Sequence, residues 1–284
     1  MTVYQIITDQ IIKELESGII PWQKPWTGSA EGAFNRISRK PYSILNQMLL
    51  RKPGEYATMK QWNELGGRVK KGERAHMVVF WKQVKTEIET ADGEKKEKLV
   101  PMLRYYNVFH ISQVDGVEPL DIPEPVAHID PIAEAERFAA EYIDADGLTL
   151  EYVLGDRACY SPSFDRVTMP CITQFQDQAE FYSTLFHELT HSTGHKKRLD
   201  RLNGARFGEV DYAAEELVAE IGAACCLRNL GIDTNKSFRN SAAYIQGWIK
   251  ALKNDPKMIV IAAGKAEKAV EYMGNAASRA AQAA

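Results

Sequence analysis

His187-Glu188-Leu189-Thr190-His191 carries the densest chemistry in the chain. Histidines four residues apart share one face of a helix, so both imidazoles can point at a single metal ion. Glu188 lies beside them and suits a general base that takes a proton from an activated water. Zinc is the expected ion, with manganese or another divalent cation as the alternative.

The elements that must hold these groups are legible around them. Residues 177–194 read as a helix, with Asp177 as N-cap, Phe181, Leu185 and Leu189 as an apolar stripe and Gly194 as C-cap. A helix over 131–144 and short strands over 149–153, 158–161 and 166–169 precede it, with Ser163-Phe164-Asp165 turning between the last two. Helices over 213–230, 242–253 and 257–272 follow, and the alanine-rich tail after Gly274 is expected to fray.

Two histidines do not complete a zinc site, and the chain offers four candidates for a third ligand: Glu215, Glu216, Glu220 and His195. Residues 215–223 resemble the second helix of gluzincin metallopeptidases. There a glutamate is a ligand, and an acid four residues on holds a ligand histidine. The resemblance implies Glu216 as ligand and Glu220 as the supporting acid, with the reverse assignment left open. Glu215 is expected to face away as a solvated charge. His195 continues the four-residue spacing, but Gly194 should break the helix before it. The metzincin pattern also needs a histidine at 197, where this chain has lysine, so a structural or substrate-facing role is expected for His195. Tyr160, Tyr212 and Tyr244 are the candidate oxyanion donors. The strands over 158–161 and 166–169 resemble the sheet whose edge binds extended peptides in such proteases.

The front of the chain has a different character. Residues 1–115 hold 18 Lys+Arg against 13 Asp+Glu, a net of +5, and the remainder nets −8 within an overall −3. That asymmetry points to a polyanionic partner for the front. Helices are expected over 3–17, 43–50 and 59–65, and strands over 76–85 and 103–111, with a long exposed hairpin tip over 86–98. Trp22, Trp26, Trp62 and Trp81 are interleaved with Lys24, Arg39, Lys40, Arg68, Lys70, Lys71, Arg74 and Lys82. Cations that track phosphates beside rings that stack on bases suit single-stranded nucleic acid. At least half of the tryptophans are expected in the core instead. Arg104-Tyr105-Tyr106 on a strand would add stacking surface.

Pro119, Pro123, Pro125 and Pro131 preclude regular structure over 116–131. This divides the chain into an α+β domain (1–115), a linker (116–131) and a second α+β domain (132–284), a small sheet packed with helices. The four cysteines form no C-x-x-C pair and read as reduced thiols. No signal-peptide pattern or membrane-length apolar run is present, so a cytoplasmic location without a membrane partner is expected. A monomer is expected.

The order of motifs supports a closer comparison. Pro21-Trp22-Gln23-Lys24-Pro25-Trp26, Tyr42-Ser43-Ile44-Leu45-Asn46, residues 62–73 and Tyr106-Asn107-Val108-Phe109 resemble the N-terminal domain of ArdC-type plasmid antirestriction proteins, also found in TraC-type conjugative primases. Residues 187–195 and 213–224 resemble that family's metallopeptidase domain. The resemblance covers nearly the whole chain. It implies a single-stranded-DNA-binding domain joined to a zinc-dependent, SprT-like zincin domain that protects incoming plasmid DNA from restriction during conjugation. The DNA-contacting candidates are Trp22, Lys24, Trp26, Arg39, Tyr42, Trp62, Arg68, Lys70, Lys71 and Lys82. The protein substrate, expected to be a restriction-system component, is not named by the sequence. The stand-alone form, without a primase segment, is expected. Two other readings stand beside this one: a DNA-binding shield whose metal site is structural or vestigial, and a cytoplasmic metallopeptidase without a nucleic-acid role.

Overall fold

Local signals set most of the helix limits. In the computed structural model, Thr2 caps α1 (Val3–Glu16) by accepting the Gln5 amide at 3.2 Å, and Ile7, Ile11 and Leu15 form its buried stripe. Ser43 caps α2 (Ile44–Leu50), and a reciprocal Thr58–Gln61 capping box starts α3 (Met59–Glu64). Asp130 and Pro131 begin α4 (Pro131–Asp146), and Asp177 caps α5 (Gln178–Ser192) through the Glu180 amide at 2.8 Å. Then come α6 (Val210–Asn229), α7 (Ser241–Asn254) and α8 (Met258–Ala283). The structure describes residues 1–23, 32–89, 95–121, 130–202, 210–232 and 241–283.

The front half contains a four-stranded sheet of order β1-β2-β5-β4: β1 (Ala33–Asn35), β2 (Gly54–Ala57), β5 (Lys95–His110) and β4 (His76–Glu89). β4 and β5 pair antiparallel along their whole length, so much of the segment read as a hairpin tip is strand. β3 (Arg68–Val69) and β6 (Val114–Asp115) form a separate two-stranded pair. In the back half, β7 (Thr149–Val153), β9 (Arg166–Pro170) and β8 (Cys159–Ser161) make a three-stranded sheet with β9 in the middle. β8 is therefore an edge strand of this sheet.

The architecture is α+β with two domains, yet they share a core. Ile7, Ile11, Leu45 and Leu49 from the front pack in one cluster with Leu217, Ile221, Trp248, Leu252 and Ile259 from the back. A second cluster joins Phe181, Leu185 and Leu189 of α5 to α4, β9, α6 and α8. The alanine tail does not fray as expected. It continues α8 to Ala283, and Ala276 and Ala277 are buried because small side chains let the helix lie close to its neighbours. No helix among the described residues is long and apolar enough to cross a membrane.

The closest approach of α5 and α6 falls at Gly222. A Cβ there would meet Thr190 Cγ2 at 2.6 Å and Oγ1 at 2.8 Å. Gly222→Val is expected to cost about 1–3 kcal/mol in urea denaturation through overpacking. Gly247→Ala, in open space on α7, is expected to be neutral or slightly stabilising. Equal stability of the two variants would refute the tight seam.

Candidate metal centre

Two successive turns of α5, bearing His187 and His191, face two successive turns of α6, bearing Glu215, Glu216 and Glu220, across that seam. His187 Nε2 and His191 Nε2 lie 3.1 Å apart, with their rings at 80°. Glu216 reaches in from α6, with Oε2 3.5 Å from His187 Nε2 and Oε1 3.5 Å from His191 Nε2. Ligand atoms of His187, His191 and Glu216 all lie within 4.8 Å of one another, the one such group found among the described residues. Two ring nitrogens this close need a shared proton or cation between them. Nitrogens bound to one tetrahedral zinc at about 2.0–2.1 Å would stand about 3.3 Å apart, so the donor set fits a divalent ion.

The far side of each ring is also occupied. Glu220 lies 3.6 Å from His187 Nδ1, and Glu215 lies 3.2 Å from His191 Nδ1. The hydrogen bond between Glu215 and His191 Nδ1 fixes that ring's tautomer and leaves its Nε2 free for a ligand role. Glu215 thus departs from expectation: it is no solvated charge but a half-buried partner of His191. Arg201 holds it in turn, donating from Nε to Glu215 Oε2 at 2.9 Å and from Nη1 to Thr193 Oγ1 at 2.6 Å, while Nη2 donates to the Thr190 carbonyl. Helical periodicity placed Glu215 away from Glu216 but could not show that a second histidine waits there. Arg201 gave no signal, because it lies in a loop.

The charges are mutually dependent. Burial pushes His191 down, but hydrogen bonds to Glu215 and Glu216 outweigh it and carry its pKa up to about 10. Burial pushes Glu216 up, and bonds from both histidines pull its carboxyl well below the usual range. Burial holds Glu220 above that range despite His187 nearby. A site that attracts protons this strongly attracts a divalent cation for the same reason, and the two compete.

Glu188 projects beside the cluster, and its Oε2 accepts the Tyr160 amide of β8 at 2.7 Å. Tyr160 therefore meets the site through its backbone. Its hydroxyl, one of the candidate oxyanion donors, donates to Asp165 at 2.8 Å instead. Tyr212 lies in α6, and the side chain of Tyr244 falls outside the described residues. His195 is buried outside the convergent group, with its Nδ1 4.0 Å from Asp165 and accepting the Lys197 amide at 3.3 Å. Gly194 is not the helix cap; Thr193 is. Gly194 instead lets the following loop fold back, because its carbonyl accepts the Arg201 and Leu202 amides and a Cβ would strike Leu202 at 2.8 Å. Arg198 locks that loop to Asp146 at 2.6 Å and to Asp165 at 2.8 Å.

The front-half candidates separate sharply. Trp62 is fully buried and donates from Nε1 to the Phe109 carbonyl at 2.9 Å, and Trp22 is buried against Trp248 at 5.1 Å between ring centroids. Neither can stack on a base, because apolar burial claimed both rings. Tyr42 is buried between Tyr56 and Phe80. Arg39, Arg68, Lys70, Lys71 and Lys82 are exposed, with Lys70 donating to the Ser112 carbonyl at 2.9 Å. Lys24 and Trp26 lie outside the described residues.

A helix bearing H-E-x-x-H, faced by a glutamate-bearing helix beside a small sheet, defines a zincin-like, metallopeptidase-type domain. Residues 134–265 match the zincin-like metallopeptidase family, and residues 1–109 match the N-terminal domain of the anti-restriction factor ArdC. The metal-free crystal structure of the antirestriction ArdC protein from the R388 plasmid is 34% identical, with a TM-score of 0.79 over 98% of this chain and 99% of that one. Its Mn(II)-bound structure gives a TM-score of 0.77 at the same identity and coverage. This chain belongs to the ArdC antirestriction family. It is also 35% identical to an uncharacterized Sinorhizobium fredii protein, y4eC, covering 95% of this chain and 91% of that one. A DNA primase TraC of Escherichia coli is 33% identical, but this chain spans only 20% of its length.

Removing the Arg201 clamp should loosen the site without removing a donor. Arg201→Ala and Glu215→Gln are each expected to weaken divalent-metal affinity by about 10–100-fold in competition with a chelator. Wild-type affinity in both variants would show that the clamp is irrelevant to the site.

Proposed function

We propose that this protein binds single-stranded DNA through its front domain and hydrolyses peptide bonds at a divalent-metal site in its back domain. It would thereby protect incoming plasmid DNA from restriction during conjugation, in the cytoplasm and as a monomer. The observation that carries the reading is the convergence of His187, His191 and Glu216 with Glu188 beside them. Two imidazoles and one carboxylate are a zinc-type donor set, and manganese is the alternative supported by the metal-bound relative. His187, His191 and Glu216 would hold the ion, with Glu220 and Glu215 orienting the two histidines. Bound there, the cation supplies positive charge that polarises a carbonyl and acidifies water.

The chain's own residues do the rest. Glu188 takes the proton of the attacking water and delivers it to the leaving amine. The Tyr160 amide fixes which way the Glu188 carboxylate points. β8 is an edge strand beside the site, so an extended segment of a protein substrate can pair along it. The protein cut there would be a component of the restriction system. On the DNA side, the exposed Arg39, Arg68, Lys70, Lys71 and Lys82, together with Lys24 and Trp26, supply cations and a ring.

Metal content by mass spectrometry should separate the carboxylates. One ion per wild-type chain is expected, near-complete loss in Glu216→Ala, and retained but weakened binding in Glu220→Ala. Loss in Glu220→Ala alone would exchange their roles. Glu188→Gln is expected to keep the metal and the DNA affinity but to abolish both peptide cleavage and protection of transferred DNA. Full protection by Glu188→Gln would instead favour the shield reading, in which the metal site is structural.

A further inference from the structure

β4 and β5 form a long ribbon, and side chains alternate between its faces, so the even-numbered residues of both strands share one side. At its base that side is covered, where Val78 and Val108 are buried with Tyr42 and Tyr56. Farther out it is open. Phe80 is 46% exposed, and Tyr106 and Met102 are each 40% exposed. Lys82 and Arg104 are exposed on the same side, Arg104 directly across from Phe80 and Lys82 across from Met102. Neither cation has an ion-pair partner among the described residues. Tyr42, Phe80 and Tyr106 run in sequence, with ring centroids 6.2 Å and then 5.9 Å apart.

We infer that this face is the track along which a single strand of nucleic acid lies, its bases on Phe80 and Tyr106 and its phosphates on Arg104 and Lys82. The inference rests on the reading above that the front domain binds single strands, and it moves the contact away from the buried Trp22 and Trp62. Contiguous exposed apolar surface marks a binding site. Flat rings alternating with unneutralised cations select a flexible polyanion whose bases are free to stack. Bases already stacked and paired in an intact duplex have no free face to offer these rings, so the surface suits a single strand. Lysine is depleted at protein interface cores, so Lys82 among the rings favours a polyanion over a protein partner. At the inner end, Arg39 and Tyr42 line a cleft of 480 Å³ against Arg228 of α6. Glu267 and Glu271 line it too, so the phosphates should follow its Arg39 rim rather than enter.

The test uses the full chain and fluorescein-labelled oligothymidylate, read by fluorescence anisotropy across a salt series. Phe80→Ala and Tyr106→Ala are each expected to weaken binding by about 5- to 150-fold, the range for losing one base–aromatic stack. Phe80→Tyr should retain affinity. Arg104→Gln should reduce the slope of log affinity against log salt by about 0.7, the share of one single-strand phosphate. Leu99→Ala, exposed on the opposite face, should bind as wild type. Photocrosslinking of an iodouridine-bearing strand should map to Phe80 or Tyr106, and unchanged thermal melting of the alanine variants separates contact from unfolding. If wild type binds but these variants bind equally well and crosslinks fall elsewhere, the track is wrong and the DNA-binding reading survives. If wild type retains no strand even at low salt, both fall. If the variants bind DNA normally but break up a wild-type dimer in sedimentation, the face is a protein interface and the track is overturned.

Discussion

Everything at the metal centre depends on how closely α5 can lie against α6. Gly222 faces Thr190 with no room for a methyl group between them. That approach allows Glu215, Glu216 and Glu220, on successive turns of one helix, to reach the two imidazoles of the other. A wider seam would leave the partly buried Glu216 and Glu220 carboxylates without the histidines that face them, a costly arrangement unless opposite charge or a metal compensates. The histidines, with protons or a cation between them, provide that compensation. The site and the helix packing are therefore one constraint seen from two sides.

The surroundings restrict the remaining freedom. Arg201 ties Glu215 to the end of α5, and Arg198 ties the loop after α5 to the end of α4 and to the turn between β8 and β9. The same turn positions Tyr160, whose amide orients Glu188. Guanidinium groups suit this work because their fork of donors can satisfy carboxylates and carbonyls together. The orientations of His191 and Glu188 are thus held by fixed polar contacts rather than by packing alone.

The two halves are joined by more than a linker. α1 and α2 complete a core whose other wall is α6, α7 and α8. The helix that carries Glu216 is therefore buttressed on its far side by the front domain. Along that helix, Glu220 and Arg228 are separated by roughly 12 Å of rise, so the metal carboxylates and the inter-domain cleft belong to one rigid element. The sheet carrying the exposed aromatic ribbon and the zincin-like domain are consequently held in one packed body.

How much of this was legible differs by feature. Caps and stripes located α1, α3 and α5 nearly to the residue, because Thr2, Thr58 and Asp177 act on amides three positions away. The short strands β1, β2, β3 and β6 were missed, since two to four residues carry no period and pair only with distant partners. The histidine pair and Glu216 as candidate ligands were readable from spacing and family resemblance. The role of Glu215, the Arg201 clamp and which of the tryptophans are buried were not. By itself the sequence determined the helices, the metal-type donor residues and the basic character of the front, all properties of local spacing and composition. The tertiary structure alone decided which carboxylate meets which imidazole nitrogen, and that Phe80 and Tyr106 rather than Trp62 face solvent. Those outcomes depend on the rotation of one helix against another and on what covers each face of a ribbon, which no local pattern encodes.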